Sequence, residues 1–151
     1  MRYDTYIEPV PAGEQRRPYD VYRYGFTKHL ATKGLHGLIN RWAKAFLTEK
    51  GSDPTDTDYG AYIGSLIGGN ISSPIEIRDI VSLSVQEASE DLRRYELDYP
   101  PQSEADAFGA AQLERIVIDE DAPGVTIYVL LENARGDRTR VALPVSLPTS
   151  P

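Results

Sequence analysis

The hydrophobic pattern of this 151-residue chain changes its period towards the C-terminus. In segments between about residues 34 and 96, apolar residues recur every three or four positions, which is typical of helices that bury one face. From Leu113 onward they tend to alternate with polar residues, which is typical of strands. The sequence therefore predicts an α+β fold in which two to three helices are followed by a small C-terminal antiparallel β-sheet.

Three strands are predicted in that C-terminal part, at Leu113–Glu120, Val125–Glu132 and Arg138–Leu147. Short segments that contain glycine separate them, as in a meander of hairpins. The last strand alternates strictly and places one set of residues opposite its apolar face: Arg138, Arg140, Ala142, Pro144 and Ser146. Because proline cannot donate a ladder hydrogen bond and arginine discourages self-pairing, we expect this strand to lie at a sheet edge.

Helical spacing predicts a first helix that begins near Lys33-Gly34 and ends around Thr48–Lys50, with Gly51 as its C-terminal cap. Its stripe comprises Leu35, Leu38, Ile39, Trp42, Phe46 and the neighbouring Leu47. A polar loop follows, and then a short helix is predicted that carries Tyr62, Ile63, Leu66 and Ile67.

A capping box at Ser73-Pro74-Ile75-Glu76 predicts the start of a long helix that extends to about residue 96. Its stripe comprises Ile77, Val81, Val85, Ala88, Leu92 and Tyr95. A helix of this length suits a structural spine or a partner surface. Residues 98–111, which include Pro100-Pro101, are predicted to form a loop or linker before the sheet.

Residues 1–27 differ from the rest, because they combine Pro9, Pro11 and Pro18 with five of the ten tyrosines and show no helical periodicity. We interpret them as an extended arm rich in tyrosine and proline, followed by a single α+β domain over residues 28–151. Tyrosines offer a large rigid contact area with a hydroxyl, so they suit an interface, although they could also pack back onto the domain. The partner-binding candidates in the arm are Tyr3, Tyr6, Tyr22 and Tyr24.

Composition limits the classes of function. The formal net charge of −7 argues against nonspecific nucleic-acid binding, which needs clustered lysine and arginine. The chain has no cysteine and therefore no disulfide scaffold or thiolate site, which fits assembly in a reducing compartment. The N-terminus lacks the apolar run of a signal peptide, and no stretch is long and apolar enough for a membrane helix, so we expect neither secretion nor membrane contact.

No residue pattern in the chain predicts catalysis, a cofactor or a metal. His29 and His36 lie seven positions apart, too far to chelate one ion from a helix face. Asp53, Asp56 and Asp58 lack the glycine and the distal glutamate of a calcium loop, so they are interpreted as turn residues. Arg135-Gly136-Asp137 matches the integrin tripeptide, but a hairpin turn explains it better.

Three short motifs resemble the baseplate sheath-initiator family of contractile phage tails, also labelled lysozyme-like baseplate wedge proteins. They are Lys33-Gly34-Leu35, the segment from Leu47 to Pro54, and Asp58-Tyr59-Gly60. Members typically open a helix with Gly-Leu, end it with Leu-Leu-Thr-Pro-Arg-Gly and continue to Asp-Tyr-Gly, a long helix and a C-terminal sheet. The resemblance covers roughly residues 30–147.

The chain departs from the family pattern in two places. Thr48-Glu49-Lys50-Gly51 stands where the family has Thr-Pro-Arg-Gly, so one cation is kept and the proline is lost. The family's Glu-Pro-Arg between long helix and sheet is replaced by Asp98-Tyr99-Pro100-Pro101, with Glu114-Arg115 as a stand-in for the charged pair.

The resemblance implies a structural protein in the tail baseplate of a virion that is assembled in the host cytoplasm. Six copies would surround the tail tube, join wedge proteins and template the tail sheath protein by strand exchange with the first sheath ring. The partner-binding candidates in the sheet are Arg138, Arg140, Ala142 and Pro144. A secretion system or a tail-like particle fits equally well.

Two alternatives stay open at this stage. A peptidoglycan hydrolase would need a carboxylic acid of raised pKa opposite a second carboxylate, and the nearest candidates are Glu49, Asp53 and Asp58. A neck or tail-completion adaptor would share the ring-forming role without the sheath contact.

Overall fold

A computed structural model of the chain describes residues 6–9, 22–25, 34–68, 73–119 and 124–146, with side chains described for 34–66, 73–118 and 124–145. Within these residues, eight elements follow one another: β1 (Tyr6–Pro9), β2 (Tyr22–Gly25), α1 (Gly34–Leu47), α2 (Gly64–Gly68), α3 (Pro74–Asp98), β3 (Phe108–Asp119), β4 (Gly124–Asn133) and β5 (Arg138–Ser146). Three helices followed by a three-stranded antiparallel sheet confirm the predicted α+β fold.

Helix α1 buries most of its apolar stripe against α3, as the spacing predicts, but Leu47 at its end is 36% exposed. Trp42 and Phe46 are fully buried and stack with their ring centroids 4.9 Å apart. The indole N–H of Trp42 donates to the Ser89 hydroxyl of α3 over 3.4 Å. The predicted cap is wrong in detail, because α1 ends at Leu47, while Gly51 takes its positive φ of 84° in the turn beyond.

The N-cap of the predicted capping box is confirmed: the Glu76 N–H donates to the Ser73 hydroxyl over 3.3 Å, and Pro74 opens the helix. The predicted stripe faces the core, with Ile77, Val81, Val85, Ala88 and Leu92 buried. Helix α2 is shorter than expected. It begins at Gly64 and leaves Tyr62 outside, 36% exposed.

Among the described strands, the C-terminal sheet has the order β3-β4-β5, which places β5 at its edge as expected. The prediction of a loop as far as residue 111 is wrong, because β3 begins at Phe108. Two register shifts, at Phe108/Ala110 and at Leu113/Arg115, break the alternation that would have revealed the start of the strand. Gly109 is required there, since a Cβ would lie 2.6 Å from the Asn133 carbonyl oxygen.

The inner face of the sheet completes the core with apolar residues from β4 and β5: Val125, Ile127, Val129, Leu131, Val141, Leu143 and Val145. The outer face is not uniformly polar. Ala142 lies on that face but is only 3% exposed, in register with Tyr128, which is 1% exposed. The strict alternation of β5 is therefore confirmed as a register, while the solvent exposure that it suggests for Ala142 is wrong.

Within the predicted arm, β1 and β2 pair as an antiparallel two-stranded sheet, with Tyr6 opposite Gly25 and Pro9 opposite Tyr22. Strand β1 approaches α1, and strand β2 approaches β5. Among the predicted interface tyrosines, Tyr3 lies outside the described residues, and Tyr6, Tyr22 and Tyr24 are described through their backbone alone. His29 also lies outside the described residues.

Candidate functional site

The two motifs that follow α1 meet in space and form what we call the clasp, residues 48–50 with 60–62. The Ala61 N–H donates to the Thr48 carbonyl over 2.8 Å, and the Lys50 N–H donates to the Ala61 carbonyl over 2.9 Å. These bonds make a parallel bridge between Glu49 and Ala61. Segments that are ten residues apart in sequence thus act as one unit.

Gly60 makes the clasp possible. Its φ is +112°, a region that side chains rarely adopt, and a Cβ there would lie 2.7 Å from the Thr48 carbonyl oxygen. Glycine is therefore required at position 60 for two reasons: its φ is positive, and the Thr48 carbonyl oxygen leaves no space for a Cβ.

Three polar side chains of α3 bind the clasp. A carboxylate oxygen of Asp91 accepts the Gly60 N–H over 2.7 Å, and the Ser84 hydroxyl accepts the Tyr62 N–H over 3.2 Å. The Glu87 carboxylate pairs with the Lys50 ammonium. Sequence reasoning missed all three, although polar residues at positions close to the apolar stripe of α3 are a signal that could have identified Ser84 and Asp91.

The charges around Asp91 explain how a carboxylate tolerates burial there. Asp91 is 5% exposed, and burial raises its pKa, while the Gly60 N–H, Arg94 and Lys50 act in the opposite direction. Arg94 lies 3.1 Å from carboxylates of both Asp91 and Asp56, and so ties the polar loop to α3. The Glu87 carboxylate raises the pKa of Lys50, which also lies 5.7 Å from the centroid of the Tyr62 ring.

The β4–β5 hairpin determines which backbone groups of β5 point away from β4. At its closing pair the Asn133 N–H donates to the Asp137 carbonyl over 3.0 Å. Since hydrogen-bonded and non-bonded positions alternate in an antiparallel pair, Val141, Leu143 and Val145 bond to β4. The outward set is Arg138, Arg140, Ala142 and Pro144. Because position 144 points away from β4, the missing N–H of Pro144 removes no hydrogen bond between β4 and β5.

The predicted partner-binding arginines are engaged on the outer face of the sheet. Arg138 pairs with Glu132 on the neighbouring strand. Arg140 reaches across β4 to Glu114 of β3, with one N–H to oxygen distance of 2.9 Å, and this contact lowers the pKa of Glu114.

Glu114 and Arg115, the predicted stand-in for the family's charged pair, lie at the second register shift of β3. Each makes a contact of its own, and the charge of Arg115 also contributes, after that of Arg140, to the lowered pKa of Glu114. Glu114 binds Arg140, whereas the Arg115 guanidinium lies 4.4 Å from the centroid of the Tyr128 ring.

Strand β3 forms the opposite edge of this sheet. Sequence reasoning also missed the contacts that cap the start of this strand. The Phe108 N–H, at the start of β3, donates to the Glu96 carboxylate of α3 over 2.9 Å. Glu96 lies 3.8 Å from Arg41 of α1, whose guanidinium also donates to the Asp106 carbonyl. These contacts fasten the linker to both helices and occupy the first donor of β3.

The carboxylates of the hydrolase alternative lie in turns. A carboxylate oxygen of Asp53 accepts the Thr55 N–H over 2.8 Å and its hydroxyl over 2.6 Å, which lowers the pKa of Asp53. A general acid needs a raised pKa, so the lowered pKa of Asp53 makes this residue unsuitable for that role. Asp58 donates its N–H to the Asp56 carboxylate, and the Glu49 carboxylate packs beside Gly64.

The remaining motifs behave as turns. Arg135 and Asp137 bind each other at the β4–β5 turn, with 2.7 Å between the Arg135 Nε and the carboxylate, instead of presenting separate charges. In the part of the chain that the structure describes, no three potential ligands come together as a metal site. No helix within the same residues is long and apolar enough to cross a bilayer.

No protein-family model matches the chain, and no curated protein matches it significantly.

Proposed function

We propose that this protein is a structural baseplate component of a contractile phage tail or a related tail-like particle. Six copies surround the tail tube, join wedge proteins and start the sheath by accepting a strand from the first sheath ring. The observation that carries the proposal is the edge strand β5, which turns the backbone groups of Arg138, Arg140 and Ala142 away from its own sheet. Such an edge can accept an extended segment through main-chain hydrogen bonds.

The clasp gives independent support. The resemblance rests on motifs around residues 48–51 and 58–60, and those motifs contact each other through backbone hydrogen bonds. Their glycine is required by a positive φ and a close approach, so the motif has a physical basis in this fold. The clasp and its acidic loop follow the C-terminal end of α1 and contact α3, and this surface is the proposed binding site for a wedge protein.

Arginine 140 is the best position for a test of strand acceptance. Arg140→Pro removes an outward N–H without touching a β4 hydrogen bond, and Arg140→Ala keeps that N–H while losing the Glu114 ion pair. Ala142 is less suitable, because it is buried opposite Tyr128 and a proline ring would crowd that contact.

The experiment expresses each variant with the sheath, tube and wedge proteins of its own particle and examines the assemblies by electron microscopy. We expect Arg140→Ala to support sheath assembly and Arg140→Pro to enter the baseplate without starting a sheath. Normal sheaths with Arg140→Pro would contradict the proposal. Labelled wild-type protein found at the neck, and not at the sheath base, would instead favour the adaptor alternative.

A further inference from the structure

The solvent-facing side of α3 has a symmetric arrangement of side chains about Gln86. Together with Gln86, three pairs of exposed residues at equal distances on either side of it form what we call the outer stripe: Ile75 and Leu97, Asp79 and Arg93, Ser82 and Glu90. Successive members are three or four residues apart, so they share one face of the helix. Each pair joins complementary groups: apolar with apolar, carboxylate with guanidinium, hydroxyl with carboxylate. We propose that two copies of this chain associate through the outer stripe, with their α3 helices antiparallel and Gln86 on the twofold axis.

Antiparallel pairing brings the members of each pair together between the two copies. When Gln86 of one copy faces Gln86 of the other, each residue before it faces the residue at the same distance after it. Asp79 of each copy then lies opposite Arg93 of the other, and this contact occurs twice because of the twofold axis. In parallel pairing Asp79 would face Asp79 and Arg93 would face Arg93. Such like charges disfavour association, so the charges of the stripe select the antiparallel arrangement.

The side chains of the outer stripe suit this contact in detail. Ile75 is 73% exposed and Leu97 is 81% exposed, so their contact removes apolar surface from water at both ends of the stripe. The Arg93 guanidinium lies 5.1 Å from the centroid of the Phe108 ring, and a guanidinium that contacts a ring still carries its N–H donors in its own plane. The Gln86 amide donates to Glu90 over 3.0 Å, and an amide has a second N–H and a carbonyl oxygen for another amide.

The pair would be a state of the free protein. A twofold contact closes on itself, whereas six copies around a tail tube would meet their neighbours through heterologous surfaces. The inference therefore goes beyond the proposed function and does not rest on it. From Ile75 to Leu97 the stripe is roughly 33 Å long, and it is a single helix face. We therefore expect a weak dimer, with a dissociation constant between about 10 μM and 1 mM.

Sedimentation equilibrium of the full-length protein tests the charge contacts. Asp79→Arg places an arginine opposite Arg93 of the other copy, and Arg93→Asp places an aspartate opposite Asp79. The matched control is Glu104→Arg, the same kind of charge reversal at an exposed residue of the linker. We expect the wild type and the control to dimerise alike and each α3 variant alone to dimerise roughly tenfold more weakly or less. An equimolar mixture of the two α3 variants should regain the affinity, because their charges again oppose. A wild type that stays monomeric up to about 1 mM, or equal dimerisation of Asp79→Arg and the control, would overturn the proposal.

Disulfide cross-linking tests the direction of the two helices. The chain has no cysteine, so Gln86→Cys and Ile75→Cys each introduce a single thiol, and both positions are exposed. In the antiparallel pair the two residues at position 86 face each other, whereas the two at position 75 lie roughly 33 Å apart. We expect the disulfide-linked dimer of Gln86→Cys to form roughly tenfold faster or more than that of Ile75→Cys under mild oxidation. Equal rates for the two variants would overturn the antiparallel pairing.

Discussion

The Asp91 carboxylate of α3 accepts a 2.7 Å hydrogen bond from the Gly60 N–H, and this bond fixes the position of the clasp on the helical layer. The donor belongs to a glycine that no other residue can replace without strain, and the acceptor is 5% exposed. Substitutions at Gly60 and at Asp91 test the two partners of this hydrogen bond separately.

Replacing Gly60 by alanine should weaken the fold for two reasons. The positive φ costs about 1–3 kcal/mol for a side-chain residue, and the new Cβ would collide with the Thr48 carbonyl oxygen. Gly136→Ala is the matched control. Gly136 also has a positive φ, of 93°, but no atom lies within 4 Å of the position that a Cβ would take. Urea unfolding should give a clearly larger loss for Gly60→Ala than for Gly136→Ala. Equal losses would mean that the close approach has no energetic weight.

Substitutions at Asp91 should separate its charge from its role as an acceptor. Burial raises the pKa of Asp91 in the folded state, so the native protein binds protons more readily than the unfolded chain in the pH range just above 3.8. The stability contributed by this group therefore falls as pH rises through that range. Asp91→Asn keeps an oxygen for the Gly60 N–H and removes the buried charge, whereas Asp91→Ala removes both.

We expect Asp91→Asn to gain stability relative to the wild type as pH rises from about 4 to 7, and Asp91→Ala to lose roughly 1–3 kcal/mol at neutral pH. Denaturant unfolding at several pH values measures both effects. A wild-type advantage over Asp91→Asn that grows with pH would show that Arg94 and Lys50 stabilise the charged form by more than burial destabilises it.

Trp42→Ala should cost about 3–5 kcal/mol, a large part of the stability of a domain of this size, because the indole is fully buried and stacked on Phe46. Ser89→Ala is the control, since it removes only the weak 3.4 Å contact with the indole N–H. We expect little folded protein from Trp42→Ala and a cost of about 1 kcal/mol or less from Ser89→Ala. Normal yield and unchanged melting of Trp42→Ala would contradict the packing of α1 on α3.

The isolated protein should not clear suspensions of bacterial cell walls. The pKa of Asp53 is lowered by its bonds to Thr55, which is unsuitable for a general acid. Turbidity measurements with purified protein check this prediction, with Glu49→Gln and Asp58→Asn as controls. Clearance by the wild type that either substitution abolishes would establish a hydrolase.

Much of the local structure follows from the sequence because its causes lie within a few residues of one another. The Ser73 N-cap, the stripe of α3 and the alternation of β5 each depend on neighbours along the chain, and each was predicted correctly. The resemblance directed attention to Gly51 and Gly60. It could not show that residues 48–50 and 60–62 pair, because that contact exists only after the loop has folded back.

Tertiary structure alone decided the features that depend on distant partners. Ala142 is buried because Tyr128 lies beside it on the next strand, and alternation along β5 carries no information about that neighbour. Strand β3 begins at Phe108 because the Asn133 backbone and the Glu96 carboxylate receive it, although its own register is interrupted. Asp91 binds the clasp only because packing places α3 next to Gly60, whose N–H the Asp91 carboxylate accepts. Period and capping are local and can be predicted from sequence, whereas burial of a particular side chain and the partner of a particular N–H are set by the approach of segments far apart in the chain.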